Sequence, residues 1–314
     1  MNPHMSRRRF LAMTATFAAL PTLASATLPV AEWRGTALGA GASLQLVGLD
    51  REEARDTFAA VEAELTRLES IFSLYKASSD VSRLNQGGRL AAPPPELLEV
   101  LSLASAIHAS TDGAFDPTIQ PLWALYAQAR GRQPDKDMLA KVRARTGWAK
   151  VKITPSEIVF ANPGMALTLN GIAQGYITDR VALLLHGRGF ENVLIDMGEI
   201  VGLGQRSDAG PWRVGVSSPA GRIVHRTTLS DRALATSAPM GTLFNGDGKT
   251  GHILDPRHGA PIAQRELVSV SADRAVLADA LSTAFCIMDD AQIVAALEIH
   301  TAARVEVKQR LARL

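Results

Sequence analysis

The chain has 314 residues, of which 46% are hydrophobic and 20% are charged, which excludes a disordered, collagen-like or disulfide-rich protein and allows a sizeable core. The one cysteine, Cys286, excludes an internal disulfide, a CxxC redox motif and a cysteine-rich zinc site. Of the 33 basic residues, three lie within the first 26 positions, and the remaining 30 against 31 acidic residues do not indicate a nucleic-acid-binding protein.

The first 26 residues have the pattern of an export signal. Arg7, Arg8 and Arg9 precede a moderately apolar stretch, which ends in the sequence Ala-Ser-Ala at 24–26. The sequence Ser-Arg-Arg-Arg-Phe-Leu at 6–11 matches the twin-arginine signal. This pattern predicts a signal peptide at 1–26 and a domain at 27–314 that works in a bacterial periplasm; the alternative is a basic tail on a cytosolic protein. Because no other run of about 18 apolar residues occurs, we expect no stable membrane insertion.

The hydrophobic pattern after this segment predicts a mixture of helices and strands. The predicted strands cover 43–49, 151–153, 158–160, 166–169, 193–196, 212–217, 267–271 and 304–308. The predicted helices cover 52–72, a segment after the three prolines at 93–95, 135–145, 172–186, 274–288 and 291–299. Residues 236–262 are predicted to form a long ordered loop. Without a regular βαβ repeat, these elements indicate an α+β fold with one core.

Two polar segments follow the first two predicted helices. In the first, at 72–85, Tyr75 has a planar ring that would stack on a flat ligand, although a surface tyrosine in a helix-exit loop would look the same. The second, at 113–118, reads Gly-Ala-Phe-Asp-Pro-Thr, and an aspartate before a proline is also an ordinary turn residue. Each segment alone is therefore compatible with a purely structural role.

A glycine-containing turn lies between the predicted strand 166–169 and the predicted helix 172–186. It reads Thr-Leu-Asn-Gly-Ile-Ala-Gln-Gly-Tyr at 168–176, and such a turn directs backbone N–H groups towards an anion such as a phosphate. It is neither a GxGxxG nor a Walker A sequence, so it indicates neither a Rossmann domain nor a P-loop. The alternative is that the glycines of this tight turn have only a structural role, in which they allow close packing.

Asp279 and Thr283 are candidates for a metal site. They lie four residues apart on the predicted helix 274–288, so their oxygen atoms share one face. A carboxylate and a hydroxyl together suit Mg²⁺ or Ca²⁺. The residues around Asp279, at 276–281, are small and apolar, and a carboxylate buried among them needs a partner such as a cation. The alternative is an aspartate that caps a neighbouring loop and a threonine that bonds to its own helix.

In this order, the segments resemble the ApbE family, the FAD:protein FMN transferases. The resemblance runs from about residue 36 to residue 288, and its most specific parts lie at 75–85, 113–118, 251–259 and 278–283. It implies an α+β fold with a mixed, largely antiparallel sheet core and flanking helices, of T-fold-like architecture. It also implies Mg²⁺-dependent transfer of FMN from FAD to a Thr or Ser hydroxyl of a target protein, with release of AMP.

The resemblance further implies roles for individual residues. His252 and Asp279 are the implied catalytic residues, and because a metal-bound aspartate is a weak base, His252 is preferred as the proton acceptor. The implied Mg²⁺ ligands are the side chains of Asp279 and Thr283 and the backbone carbonyl of Gly171. The implied flavin-nucleotide contacts are Leu38, Tyr75, Ala114, Phe115, Asp116, Thr168, Gln174 and Ile253.

Departures from the family pattern leave other functions open. Where the family has Asp-Leu-Gly-Gly-Ile-Ala-Lys-Gly, this chain has Thr168 for the aspartate and Gln174 for the lysine. The alternatives are a non-catalytic FAD-binding protein and a Mg²⁺-dependent FAD pyrophosphatase. The sequence Ser-Ala-Pro at 237–239, together with the twin-arginine signal, resembles the branch associated with nitrous oxide reductase maturation. The implied partner is a periplasmic redox protein that accepts covalent FMN.

Overall fold

The computed structural model describes residues 28–130, 132–244, 250–262 and 266–311. Its strands are β1 Val30–Ala37, β2 Ala40–Val47, β3 Arg89–Ala91, β4 Val151–Ile153, β5 Glu157–Phe160, β6 Val193–Asp196, β7 Ile200–Leu203, β8 Trp212–Ser217, β9 Ile223–Leu229, β10 Arg232–Ser237, β11 Leu254–Asp255, β12 Ala260–Pro261, β13 Glu266–Ala272 and β14 Arg304–Arg310. Its helices are α1 Arg55–Phe72, α2 Asp80–Gly87, α3 Pro95–Ser110, α4 Gln120–Gln128, α5 Lys136–Arg143, α6 Ala173–Gly187, α7 Ala275–Phe285 and α8 Asp290–Ile299. The predicted signal peptide at 1–26 lies outside these residues, as do 245–249 of the predicted loop.

Seven strands form one sheet in the order β1-β2-β6-β7-β10-β13-β14, and every neighbouring pair is antiparallel. One face of the sheet is covered by helices that include α6 and α7, and the other by the β8–β9 hairpin, where Trp212 and Val214 pack on Leu194, Leu234 and other sheet residues. Because both faces are covered, β13 is buried along nearly its whole length instead of alternating. The α+β fold with a largely antiparallel core is therefore confirmed.

The amphipathic helices form as their sequences predict. In α1, the apolar residues Phe58, Val61, Leu65, Leu68 and Phe72 are all buried. In α3, which forms after the three prolines as predicted, the apolar residues Leu97, Leu101, Ala104 and Ile107 are likewise buried, and Pro95 begins the helix. Helix α7 is buried on nearly every side, which its many alanines permit because small side chains let neighbouring backbones approach. No helix of the described residues is long and apolar enough to cross a membrane.

Two local predictions are wrong. Residues 166–169 have no regular secondary structure and do not form a strand, because the Leu167 N–H donates to Asn85 Oδ1 at 2.7 Å and the Thr168 N–H to the Pro117 carbonyl at 2.8 Å. The segment after α1 is not only a helix-exit loop, since α2 begins within it. Ser79 caps α2 by accepting a hydrogen bond from the Ser82 N–H at 3.1 Å.

Candidate active site

One open pocket is lined by every residue to which the sequence analysis assigned a catalytic, flavin-binding or metal-binding role. It lies where α6, α7 and the turns at one end of the sheet meet. The predicted residues that line it are Leu38, Tyr75, Ala114, Phe115, Asp116, Thr168, Gly171, Gln174, His252, Ile253, Asp279 and Thr283. These positions span most of the described chain, so only the folded molecule brings them together.

The candidate cation ligands lie where α6 begins beside α7. The Gly175 N–H donates to Asp279 Oδ2 at 3.0 Å, which ties the first turn of α6 to the middle of α7. A Cβ atom at Gly171 would lie 2.9 Å from Thr283 Oγ1, and one at Gly175 would lie 2.8 Å from Asp279 Cβ. Only glycine permits this close approach. The approach brings Gly171, Asp279 and Thr283 to one place.

Carboxylates dominate the charge of the pocket. Asp116, Asp196, Glu199 and Asp279 line it, and none of its described lining residues is a lysine or an arginine. Burial raises the pKa of Asp279 to about 7, against the opposing effect of the Gly175 N–H. The pKa of Glu199 is raised well above its usual value, because the side chain is buried beside the charges of Asp279 and Asp196. The pocket therefore favours a bound cation or protonated carboxyl groups.

His252 is fixed by the backbone of its own loop. Its Nδ1 lies 3.1 Å from the Pro239 carbonyl and 3.2 Å from the Thr242 carbonyl, and both of these groups only accept hydrogen bonds. Nδ1 therefore carries the proton, and Nε2 is the acceptor in the neutral ring. Burial lowers the pKa of His252, although the two carbonyls oppose the shift. The ring is thus neutral near pH 7 and able to take a proton at Nε2.

A small network of hydroxyl groups supports Thr283. Ser237 Oγ lies 2.8 Å from Ser282 Oγ and 3.2 Å from Thr283 Oγ1, and the Ser282 hydroxyl donates to the Asp279 carbonyl at 3.0 Å. Ser237 also lines the pocket. The sequence drew attention to Ser237 only as a departure from a family pattern, and its contact with Thr283 becomes visible only in the fold.

The apolar wall of the pocket comes from turns near the start of the chain. Leu38 occupies the tight β1–β2 turn with φ 48°, and its N–H donates to Glu69 Oε1 at 2.9 Å. Tyr75 lies at the rim with 67% of its surface exposed, whereas Ala114 and Phe115 are buried. Asp116 accepts from both the N–H and the hydroxyl of Thr118, so it also holds its own turn. Leu38, Tyr75, Ala114 and Phe115 provide an apolar wall. Beside it lies the polar floor, which is formed by Thr168, Gln174, Asp279 and Thr283.

The part of the chain that contains these pocket residues matches known proteins. The model of the ApbE family matches residues 38–307, which cover most of the chain. The chain belongs to the ApbE family. The FAD:protein FMN transferase of Klebsiella pneumoniae (strain 342) is 27% identical over 81% of this chain and 77% of that protein. The enzyme of the same name from Vibrio cholerae is 29% identical over 76% of this chain and 75% of that protein.

Solved structures of ApbE proteins have the same fold. The flavin transferase ApbE from Vibrio cholerae superposes with a TM-score of 0.77 and 26% identity, covering 91% of this chain and 97% of that chain. The apo form of the Pseudomonas stutzeri flavinyl transferase ApbE gives a TM-score of 0.76 and 28% identity, covering 93% and 97%. The resemblance read from the sequence is therefore confirmed at the level of family and fold.

This ApbE family member has two pocket carboxylates that sequence reasoning missed. Asp196 ends β6, and Glu199 follows in the turn to β7, where Gly198 has φ 104°, a conformation that favours glycine, and the Gln174 amide lies against it. The available signal was an acidic pair immediately after a strongly apolar strand. This acidic pair indicates a pocket only once β6 is known to lie inside the sheet, and the sequence does not predict that position.

The two departures from the family pattern lie at the polar floor. Thr168 accepts a hydrogen bond from the Asn170 N–H at 3.3 Å, and Gln174 lies in the first turn of α6 against Gly198. Both side chains are neutral, so neither supplies a positive charge to an anion in the pocket. Thr168 and Gln174 therefore shape the floor without balancing its carboxylates.

Proposed function

We propose that this protein is a FAD:protein FMN transferase that uses Mg²⁺ to transfer FMN from FAD to a Thr or Ser hydroxyl of a target protein, releasing AMP. The observation that carries the proposal is the junction of α6 and α7, where Asp279, Thr283 and Gly171 meet in the pocket. The relatives that bear the name of this activity support it.

The donors at this junction fit a hard cation. They comprise one carboxylate, one hydroxyl and a backbone carbonyl, and oxygen ligands of these kinds are those that Mg²⁺ prefers. Asp279 is only 3% exposed, and a carboxylate buried to that degree is stabilised by a cation. Among the described residues, no group of three or more His, Cys, Asp or Glu side chains is arranged to hold a metal, so the proposed site has one carboxylate and completes its ligands with a hydroxyl and a backbone carbonyl. Mg²⁺ at this position would neutralise charge on the pyrophosphate.

The side chains of the pocket then have separate tasks in the transfer. The apolar wall with Leu38, Tyr75 and Phe115 binds the planar part of FAD. His252 Nε2 takes the proton of the incoming hydroxyl, whose oxygen forms a new bond to the phosphorus of the FMN half. The bond between that phosphorus and the AMP phosphate breaks, and AMP leaves with the electron pair. Ser237 keeps the Thr283 hydroxyl in place throughout.

Two sequence features support a proposed location and a proposed acceptor. The twin-arginine pattern at 6–11 supports export to the periplasm, where the acceptor is a redox protein with an accessible Thr or Ser. The sequence Ser-Ala-Pro at 237–239 supports an acceptor in the system for nitrous oxide reduction.

The deciding experiment combines the purified protein with FAD, Mg²⁺ and a periplasmic flavoprotein domain that carries an acceptor Thr. We expect a flavin-fluorescent acceptor band on a denaturing gel, AMP in equal amount, and loss of both with EDTA. An acceptor domain with Thr→Val at the modified position is the matched control.

Two other outcomes would assign a different function. AMP formed at an equal rate with and without acceptor, and with no fluorescent band, would indicate a Mg²⁺-dependent FAD pyrophosphatase. Bound FAD with neither product would indicate a non-catalytic FAD-binding protein, which the neutral residues Thr168 and Gln174 favour. In that case the variants Gln174→Lys and Thr168→Asp would test whether the family residues restore transfer.

A further inference from the structure

Helices α6 and α7 are joined by two reciprocal contacts. On one side, the Gly175 N–H of α6 donates to Asp279 Oδ2 of α7. On the other side, the carboxylate of Asp179 in α6 accepts from the Ala275 N–H at 2.7 Å and from the Val276 N–H at 3.1 Å, both in α7. Helix α6 thus contributes two residues spaced four apart, about one helical turn, and α7 contributes its first two residues and Asp279, one turn further on.

Asp179 provides the N-terminal cap that α7 lacks. The N-cap residue of α7, Arg274, makes no capping hydrogen bond with its side chain. The free N–H groups of a first helical turn need acceptors, and a carboxylate there also interacts favourably with the helix dipole. Arg274 Nε lies 3.6 Å from Asp179 Oδ2, and the Asp179 side chain is only 17% exposed. The cap is therefore held tightly in place.

We propose that Asp179 is a positioning residue for the cation site: it fixes the start of α7 so that Asp279 and Thr283 face the pocket in register with Gly171. This inference rests on the proposed Mg²⁺-dependent function. Without the cap, the first turn of α7 loosens, and of the described hydrogen bonds between the two helices the Gly175 contact to Asp279 remains. The cation ligands then lose their common geometry although none of them has changed.

The test measures cation binding directly, with Mn²⁺ as the probe. Free Mn²⁺ is followed by electron paramagnetic resonance during titration of the FAD-free protein. We expect Asp179→Ala to weaken Mn²⁺ binding about tenfold or more, as the loss of a supporting partner commonly does. Asp179→Asn keeps one acceptor oxygen and should lie between Asp179→Ala and the wild type. In transfer assays, Asp179→Ala should raise the Mg²⁺ concentration for half-maximal rate, and saturating Mg²⁺ should restore most of the rate.

Two control variants separate positioning from charge and from stability. Asp273→Ala removes an exposed carboxylate beside the same helix end, where the N–H groups of Ala275 and Val276 donate to Asp179. Val214→Ala creates a cavity under the β8–β9 hairpin, in a separate apolar cluster. We expect both to bind Mn²⁺ within about twofold of the wild type. Circular dichroism identifies any variant that does not fold. If Asp179→Ala does not fold, the Mn²⁺ binding of Asp179→Asn decides whether Asp179 positions the cation site.

The outcomes distinguish this inference from the function on which it rests. If the wild type binds Mn²⁺ and both Asp179 variants bind it equally well, the positioning role is wrong and the transferase proposal stands. If Val214→Ala weakens binding as much as Asp179→Ala, the effect is general destabilisation and the inference also fails. If the wild type itself binds no Mn²⁺, the cation site is wrong, and the positioning role falls with it.

Discussion

The role proposed for Asp279 in the cation site carries a cost in stability. This residue is buried to 97% in α7, and burial raises its pKa to about 7. Ionised at pH 8 without a cation, it is a charge held in an apolar surrounding with one backbone N–H as partner. Function and stability therefore make opposite demands on this side chain.

The variant Asp279→Asn separates these two demands. We expect Mg²⁺-dependent transfer to fall by at least about 100-fold, because the charged cation ligand is removed. The cation-free variant should nevertheless unfold at a higher temperature than the wild type at pH 8, because a neutral amide replaces a buried charge. Flavin transfer and thermal unfolding in EDTA measure the two effects. Retained transfer would refute the role of Asp279 in cation binding.

Asp196 gives a pH-dependent prediction. Burial raises its pKa to about 6 from 3.8, and the Gly198 N–H opposes the shift. A carboxyl group whose pKa is higher in the folded state binds protons more tightly there, so its contribution to stability is present at low pH and is lost as pH rises through about 6. Asp196→Asn removes this loss and keeps an oxygen that can accept from Gly198.

We expect Asp196→Asn to stabilise the protein by up to about 3 kcal/mol at pH 7.5 and to have little effect near pH 4. Urea unfolding at both pH values measures the difference. Glu298→Gln, on the exposed side of α8, is the matched control and should change the free energy of unfolding little at either pH. A gain for Asp196→Asn that is the same at pH 4 and pH 7.5 would contradict the role assigned to ionisation.

At the scale of elements, the two glycines of α6 make a matched pair. A Cβ at Gly175 would lie 2.6 Å from the Ala275 carbonyl carbon, whereas a Cβ at Gly187 would have no atom within 4 Å. We expect Gly175→Ala to lose about 2 kcal/mol and to weaken Mn²⁺ binding, because α7 must move away. Gly187→Ala should gain up to about 1 kcal/mol through helix propensity and leave binding unchanged. Chemical unfolding and Mn²⁺ titration of both variants test this, and equal effects would show that α6 and α7 are not tightly packed.

How much of these elements the sequence predicts depends on how local the signal is. Helix α1 is a pattern within one segment, and that prediction agrees with the structure. The spacing of Asp279 and Thr283 is also local, and both residues line the pocket, whereas their role as cation ligands stays a prediction. Helix α4 buries only Leu122 and Tyr126, so its periodicity is too weak to recognise. Residues 166–169 have strand-like sequence, but their backbone partners are the Asn85 side chain and a loop carbonyl, which lie far away in the chain.

At the scale of the whole molecule, the pocket depends on the order of the strands. Leu38 comes from the β1–β2 turn, Glu199 from the β6–β7 turn and Ser237 from the end of β10, and the sheet order β1-β2-β6-β7-β10 lines these ends up. No local pattern predicts this order, and for this reason sequence reasoning missed Asp196 and Glu199. The family resemblance indicated further pocket residues, such as Leu38 and His252, because membership of a family implies a shared fold.

Since the pocket joins distant parts of the chain, a ligand that fills it should stabilise the whole fold. With Mg²⁺ present, FAD at 100 times its Kd should add about 2.7 kcal/mol to the free energy of unfolding. In EDTA, the same FAD concentration should add less than half of this, because the pyrophosphate then faces Asp279 and the neighbouring carboxylates without a cation. Urea unfolding with each ligand alone and with both measures the two contributions, and Asp279→Asn should abolish the difference between Mg²⁺ and EDTA. Equal stabilisation by FAD in EDTA and in Mg²⁺ would mean that the carboxylates do not face the pyrophosphate, and the orientation proposed for FAD in the pocket would be wrong.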